Sequence, residues 1–170
     1  MSLNILTKYI GKFVFFALLQ VLVLQNIQLT DFGISPQIYV VLILLLPFET
    51  PGWMLIIFGF TMGLSIDIFY DTGGSHAVAL VFIAFIRPTV LQFIAPRGGY
   101  ESGTVPRIFH FGVSWFARYT VIFVFIHHFI YFLVEAFSFS DFHITMLKVF
   151  LTTIFSTLLI VLSQFLIFRK

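Results

Sequence analysis

The residues whose types and spacing could do chemistry lie on one apolar stretch in the middle of the chain. Gly59, Gly63 and Asp67 follow one another at intervals of four, so on a helix they form a single stripe. Glycines at this spacing remove the side chains that would hold a second helix away, which is typical of close helix–helix contacts in membranes. The stripe therefore predicts either packing within this chain or an interface with a partner.

Asp67 is a costly residue in such a place. A carboxylate inside a bilayer costs about 2.5–3.5 kcal/mol on insertion scales, and a helix C-terminus disfavours negative charge further. We therefore expect a partner for Asp67 in an outer-leaflet polar cluster, whose members would be Asp67, Asp71, His127, His128, Glu135 and Lys148. A clasp that fixes the helices, a ligand or ion site, and an assembly contact are three interpretations of this cluster. We do not expect a metal site, because ligands at suitable spacing are too few.

Catalytic motifs are missing from the sequence. The chain has no cysteine, no HExxH, no phosphate-binding glycine loop and no GxSxG. A nucleophile, a base and an orienting group cannot be picked out together. We therefore predict a protein that is not an enzyme and that carries no cofactor.

The composition excludes most soluble classes of protein. Of 170 residues, 60% are hydrophobic and only 9% are charged, whereas a soluble domain carries about 25% charged residues. So few ionic groups cannot cover a surface in water, and they are a poor match for nucleic acid. Most of the surface must therefore face the lipid bilayer.

Charge-free stretches separated by proline and glycine predict an all-α integral membrane protein. The whole chain, 1–170, is then one polytopic domain with about six transmembrane helices. The predicted spans are 10–29, 34–47, 51–70, 74–93, 112–134 and 145–168. The second would rise only about 21 Å, which is short for a bilayer, so a re-entrant hairpin of the second and third segments is the alternative.

Lysine and arginine predict the orientation, because short cytoplasmic loops are enriched in both. With both termini in the cytoplasm, Lys148 alone lies toward the outside, and the cytoplasmic set is Lys8, Lys12, Arg87, Arg97, Arg107, Arg118, Arg169 and Lys170. Arg87, Arg97 and Arg107 are expected in a cytoplasmic loop that is either a solvated connector or a contact for a cytoplasmic protein. Arg118 is expected to extend toward the lipid headgroups.

Residues 58–67 (FGFTMGLSID), followed by 73–77 (GGSHA), resemble the rod shape-determining protein MreD family. Arg87-Pro88 and residues 96–100 (PRGGY) are also similar to that family. The resemblance implies a non-catalytic inner-membrane component of the bacterial cell-elongation machinery. It also implies a six-helix fold that resembles the substrate-binding subunits of energy-coupling-factor vitamin transporters.

The resemblance also implies partners and functional positions. The partners would be an MreC-like bitopic membrane protein, the complex of RodA with a class B penicillin-binding protein, and indirectly the actin-like MreB; a homodimer is a further possibility. If the motif of the family has the same role in this chain, the functional positions would be Gly59, Gly63 and Asp67. The alternative function is a substrate-binding subunit of a vitamin-type transporter with a pocket near Asp67 and His127. Such subunits carry Ala-x-x-x-Ala on the first span, which here offers only Gly11 and Ala17.

Overall fold

A computed structural model describes residues 3–27, 34–101, 103–137 and 141–167 of the chain. Within them the backbone forms six α-helices and one short 3-10 turn, at Leu24–Asn26. The helices are α1 (Leu3–Leu22), α2 (Val41–Leu44), α3 (Gly52–Tyr70), α4 (Ser75–Phe93), α5 (Ile108–Ala136) and α6 (Phe142–Ile167). The predicted cations Arg169 and Lys170, and the side chain of Lys8, lie outside what is described.

Five segments of the described chain are helical, long and apolar enough to cross a membrane. They are Tyr9–Asn26, Gly52–Tyr70, Ser75–Phe93, Ile108–Ala136 and Phe142–Leu166. Their outward faces carry large apolar side chains such as Ile68, Phe85 and Phe93, which lipid solvates without cost. The predictions of an all-α fold and of these five spans are therefore confirmed, and the chain is a multi-pass membrane protein.

The predicted second span, 34–47, is wrong as a transmembrane helix. Only Val41–Leu44 is α-helical there, and the backbone before it is extended or turned. α3, the predicted third span, is 19 residues long and apolar enough to cross a membrane alone. Residues 36–46 are nevertheless all buried. We call residues 34–47 the central segment, because the long helices enclose it.

Side chains of the surrounding helices satisfy the backbone of the central segment. Gln20 of α1 donates to the carbonyl of Pro36 (3.1 Å) and accepts from the amide of Ile38 (2.9 Å). Ser156 of α6 accepts from the amide of Gln37 at 2.9 Å. Non-helical backbone at membrane depth is tolerated only where protein groups replace water as partners. These polar contacts explain why a segment too short for a spanning helix is stable here.

The central segment runs beside the middle part of α5. Its Tyr39 hydroxyl lies 3.1 Å from Nε2 of His127. Five residues later the carbonyl of Leu44 accepts from the Tyr119 hydroxyl at 2.9 Å. His127 and Tyr119 are eight residues apart on α5, a rise of about 12 Å. The segment thus covers much of the bundle's depth without being a helix.

Opposite charges collect at opposite ends of the bundle. The start of α5 meets the end of α4, where the Trp115 indole donates to the carbonyl of Ile94 at 2.9 Å, and Tyr9 of α1 contacts Phe58 early in α3. We call this the basic end. Its cations with described side chains are Lys12, Arg87, Arg97, Arg107 and Arg118, accompanied by Glu49 and Glu101. The acidic end carries Asp67, Asp71, Glu135, Asp141 and Lys148.

The two predicted glycines bring α3 against α4 of the same chain. A Cβ atom at Gly63 would lie 2.3 Å from the Ala77 Cα, and one at Gly59 would lie 3.0 Å from the Leu80 carbonyl oxygen. Backbone atoms cannot move aside as a flexible side chain can. The antiparallel pair therefore needs glycine at position 63 and leaves little room for a side chain at position 59.

We predict a graded loss of stability when each glycine is replaced by alanine. Gly63→Ala should lower the free energy of unfolding in detergent by about 1–3 kcal/mol, because the added methyl group overpacks the α3–α4 contact. Gly59→Ala should lower it less. Gly11→Ala is the matched control, since a Cβ at this exposed site on α1 meets nothing within 4 Å. Equal unfolding temperatures for Gly63→Ala and Gly11→Ala would contradict the packing described.

Candidate functional site

Asp67 crosses the turn between α3 and α4 to bind the start of α4. Its Oδ1 accepts from the amide of His76 at 3.0 Å and from the Thr72 hydroxyl at 2.5 Å. Its Oδ2 accepts from the amide of Ala77 at 2.9 Å. The side chain is buried, with 5% of its surface exposed. Both carboxylate oxygens therefore have partners within the chain.

The start of α4 supplies what the sequence left open, a partner for this carboxylate. His76 and Ala77 are the second and third residues of α4, and the first amides of a helix have no partner within it. These amides also carry the positive end of the helix dipole. The end of α3 disfavours the negative charge of Asp67, and the start of α4 offsets that cost.

His76 is the site residue that the sequence analysis missed. Its Nδ1 lies 3.0 Å from Oδ1 of Asp67 and 2.9 Å from the Thr72 hydroxyl. Because an ionised carboxylate only accepts, this geometry puts a proton on Nδ1. The ring is fully buried among three tyrosines, with centroid distances of 5.7 Å to Tyr39, 5.1 Å to Tyr70 and 4.4 Å to Tyr131. The sequence feature that could have indicated this contact is the Gly73-Gly74 turn, which sets positions 67 and 76 opposite each other.

The two adjacent histidines of α5 face different neighbours. His127 lies beside Tyr39 of the central segment, whose hydroxyl also reaches Oε1 of Gln37 at 3.0 Å. Nδ1 of His128 lies 3.1 Å from the Thr153 hydroxyl on α6. Tyr39 thus stands between His76 and His127, since its ring contacts both. The histidines help to join α4, α5, α6 and the central segment.

The rest of the predicted polar cluster is not brought to Asp67. Asp71 and Glu135 are exposed, and Lys148 is half-buried on α6. Among the residues described, the basic side chain that contacts the Asp67 carboxylate is His76, at 3.0 Å, not Lys148. Within the same ranges, no group of three or more histidine, cysteine, aspartate or glutamate side chains could hold a metal ion.

Arg87 corrects a second expectation, that of a cytoplasmic loop residue. It lies inside α4 with 1% of its surface exposed. Its guanidinium donates to the carbonyls of Leu46 and Pro47, reaches that of Leu44, and donates through Nε to the Tyr119 hydroxyl at 3.1 Å. The central segment ends here and leaves carbonyl groups without helical partners. A cation at such a carboxyl end is favourable, which explains the burial.

The loop that follows α4 packs against the basic end. Tyr100 donates from its hydroxyl to the carbonyl of Leu91 at 2.8 Å, and its ring stacks on Phe48 at 4.0 Å. Burial raises the pKa of Tyr100 to about 12, so the phenol keeps its proton well into the alkaline range. Arg97 is exposed in this loop, whereas Arg107 is half-buried at its end.

These contacts hold α4 near both of its ends. α4 binds an anion at one of its ends and contributes a cation near the other, and each charge is matched by groups of the same chain.

Comparison with known proteins gives no further guidance, because no protein-family model, no curated protein and no solved structure matches this chain. The functional argument therefore depends on the residues above.

We predict that Asp67→Asn destabilises the protein by about 1.5–3 kcal/mol, the typical worth of a hydrogen bond to a charged group. The amide side chain keeps one acceptor oxygen, so it cannot accept from the start of α4 on both sides. Unfolding in detergent measures the loss. Asp71→Asn, one turn later, is the control: Asp71 is exposed at φ 56°, a conformation that asparagine tolerates. If both variants unfold at the same temperature, the carboxylate contact is not what holds the hairpin.

We predict that Arg87→Lys also destabilises the protein, by about 1–3 kcal/mol. Lysine keeps the charge, but its single ammonium cannot reach Leu46, Pro47 and Tyr119 together as the planar guanidinium does, and buried carbonyls would be left unpaired. Arg97→Lys, in the exposed loop, should leave unfolding unchanged. A wild-type unfolding temperature for Arg87→Lys would show that charge alone suffices at this position.

Proposed function

We propose that this chain is a non-catalytic membrane scaffold of the bacterial cell-elongation complex, which maintains rod shape by organising side-wall peptidoglycan synthesis. One observation carries the proposal. Residues 58–67 and 73–77, which resemble the MreD family, form one structural unit, because Gly59, Gly63, Asp67 and the turn before His76 together build the α3–α4 hairpin. A motif used to hold helices in place suits a protein that presents fixed surfaces.

The filled interior also supports a scaffold over a transporter subunit. A substrate-binding subunit would need a cavity near Asp67 and His127. In this chain Tyr39 occupies the space between His76 and His127, and residues 36–46 of the central segment are buried among the helices. A ligand bound between His76 and His127 would have to displace Tyr39.

The proposed setting follows from the charge distribution. Cytoplasmic ends of membrane proteins are enriched in lysine and arginine, so the basic end would face the cytoplasm in the bacterial inner membrane. The exposed apolar faces of the long helices would then bind transmembrane helices of an MreC-like protein and of the RodA–penicillin-binding-protein pair. Contact with the actin-like MreB would be indirect.

Depletion in the source bacterium should turn rods into spheres within a few generations, and re-expression should restore rods. To show contact with partners, a photoreactive phenylalanine analogue can replace exposed phenylalanines on different helices, namely Phe60, Phe82 and Phe150. At least one position should cross-link an elongation partner. Phe123, which is fully buried, is the matched control and should capture none.

Two results would count against the scaffold. One is normal rod shape after depletion together with the absence of partner cross-links. The other is a shift of several degrees in the unfolding temperature of the purified protein with one member of a vitamin panel, since a ligand that binds only the folded state stabilises it. That shift would favour the transporter subunit.

A further inference from the structure

A groove at the basic end opens beside the one exposed arginine that the described membrane spans contain. It lies where the end of α4 meets α5, and it has a volume of about 780 Å³, within the range of about 300–1,000 Å³ that is typical of small-molecule sites. Its walls are mainly apolar and aromatic, and they include Phe93, Pro96, Phe111 and Trp115. Arg118 is the charged residue in this lining.

Arg118 lies on the lipid-facing side of α5 and points toward the basic end. Its Nε donates at 3.3 Å to the carbonyl of Ser114, four residues earlier on the helix, so the side chain turns back by one turn. Among the described residues it forms no ion pair with a carboxylate. The two terminal nitrogens of its guanidinium can therefore bind an oxyanion, in the planar fork that suits phosphate.

A second groove adjoins the first at one residue of α5. Val121, one turn beyond Arg118, lines both the first groove and a groove of about 480 Å³ between α5 and α6. The second is lined by aliphatic residues of α6 with two threonines, and it carries no charged side chain. A charged mouth followed by an apolar track suits an amphipathic molecule with an anionic head.

We propose that this surface binds one anionic glycerophospholipid of the surrounding bilayer. Its phosphate pairs with Arg118, and an acyl chain lies in the groove, passes Val121 and follows the α5–α6 face. Basic pockets between transmembrane helices at the cytoplasmic side bind lipid headgroups in this manner. The site requires only that the chain spans a membrane, so it stands whether or not the scaffold proposal does.

The test compares phosphatidylglycerol with phosphatidylcholine of the same chains, added to the purified full chain, with retained lipid counted by native mass spectrometry. Arg118→Gln should lower phosphatidylglycerol affinity about fivefold, the factor for one basic residue at an anionic leaflet. Val121→Trp should also lower it, because the indole blocks the junction of the grooves. Arg97→Gln and Val113→Trp are the matched controls. The exposed fraction of Val113 (47%) is close to that of Val121 (44%), but Val113 does not line the groove.

Each alternative outcome overturns the proposal. Equal retention of the two lipids by the wild type would exclude headgroup selection. An equal loss in Arg97→Gln and Arg118→Gln would indicate diffuse charge attraction. Displacement of phosphatidylglycerol by soluble glycerol phosphate would indicate a phosphate site without an acyl track. Since Arg118 and Val121 are exposed, the variants should fold, and their unfolding temperatures in neutral detergent verify this.

Discussion

The fold depends on one carboxylate, that of Asp67, which closes the exposed amide end of the next helix. Two unfavourable features of the chain satisfy each other there: a buried anion at the end of α3, and unpartnered amides at the start of α4. The contact also sets the register of the hairpin. With Asp67 on the amides of His76 and Ala77, Gly63 lies one turn earlier on α3 against the Ala77 backbone, where any side chain would force the two helices apart.

α4 anchors the rest of the bundle from both of its ends. Eleven residues after His76, a rise of about 16 Å, Arg87 gathers the free carbonyls at the end of the central segment. The central segment is thus held at one end by Gln20 and Ser156 and at the other by Arg87 and Tyr119. This explains how backbone that is mostly not helical can lie in the middle of a membrane protein, since each polar contact replaces one that a helix would have made internally.

The sequence predicts the long helices well and the polar contacts poorly, for a physical reason. Length and hydropathy decide whether a segment can cross a bilayer, and both are visible in the amino-acid sequence. The central segment looks like a short span because its backbone partners, Gln20 and Ser156, belong to other helices and cannot be identified from the segment itself. Asp67 is visibly costly, but its partners are largely backbone amides, which residue type does not mark. Counting cations groups Arg87 with the other arginines at one end, whereas its burial follows from the carbonyls of a segment whose shape the sequence does not reveal.

Amide hydrogen exchange at the first turn of α4 tests the central claim most directly. The amide of Ser75 donates to the backbone carbonyl of Thr72 and not to the Asp67 carboxylate, and so provides an internal reference. In the wild type, the amides of His76 and Ala77 should exchange at least as slowly as that of Ser75. In Asp67→Asn, at least one of the two should exchange faster while Ser75 keeps its rate. Unchanged rates in the variant, or equal acceleration of all three amides, would contradict a carboxylate bound at the start of this helix.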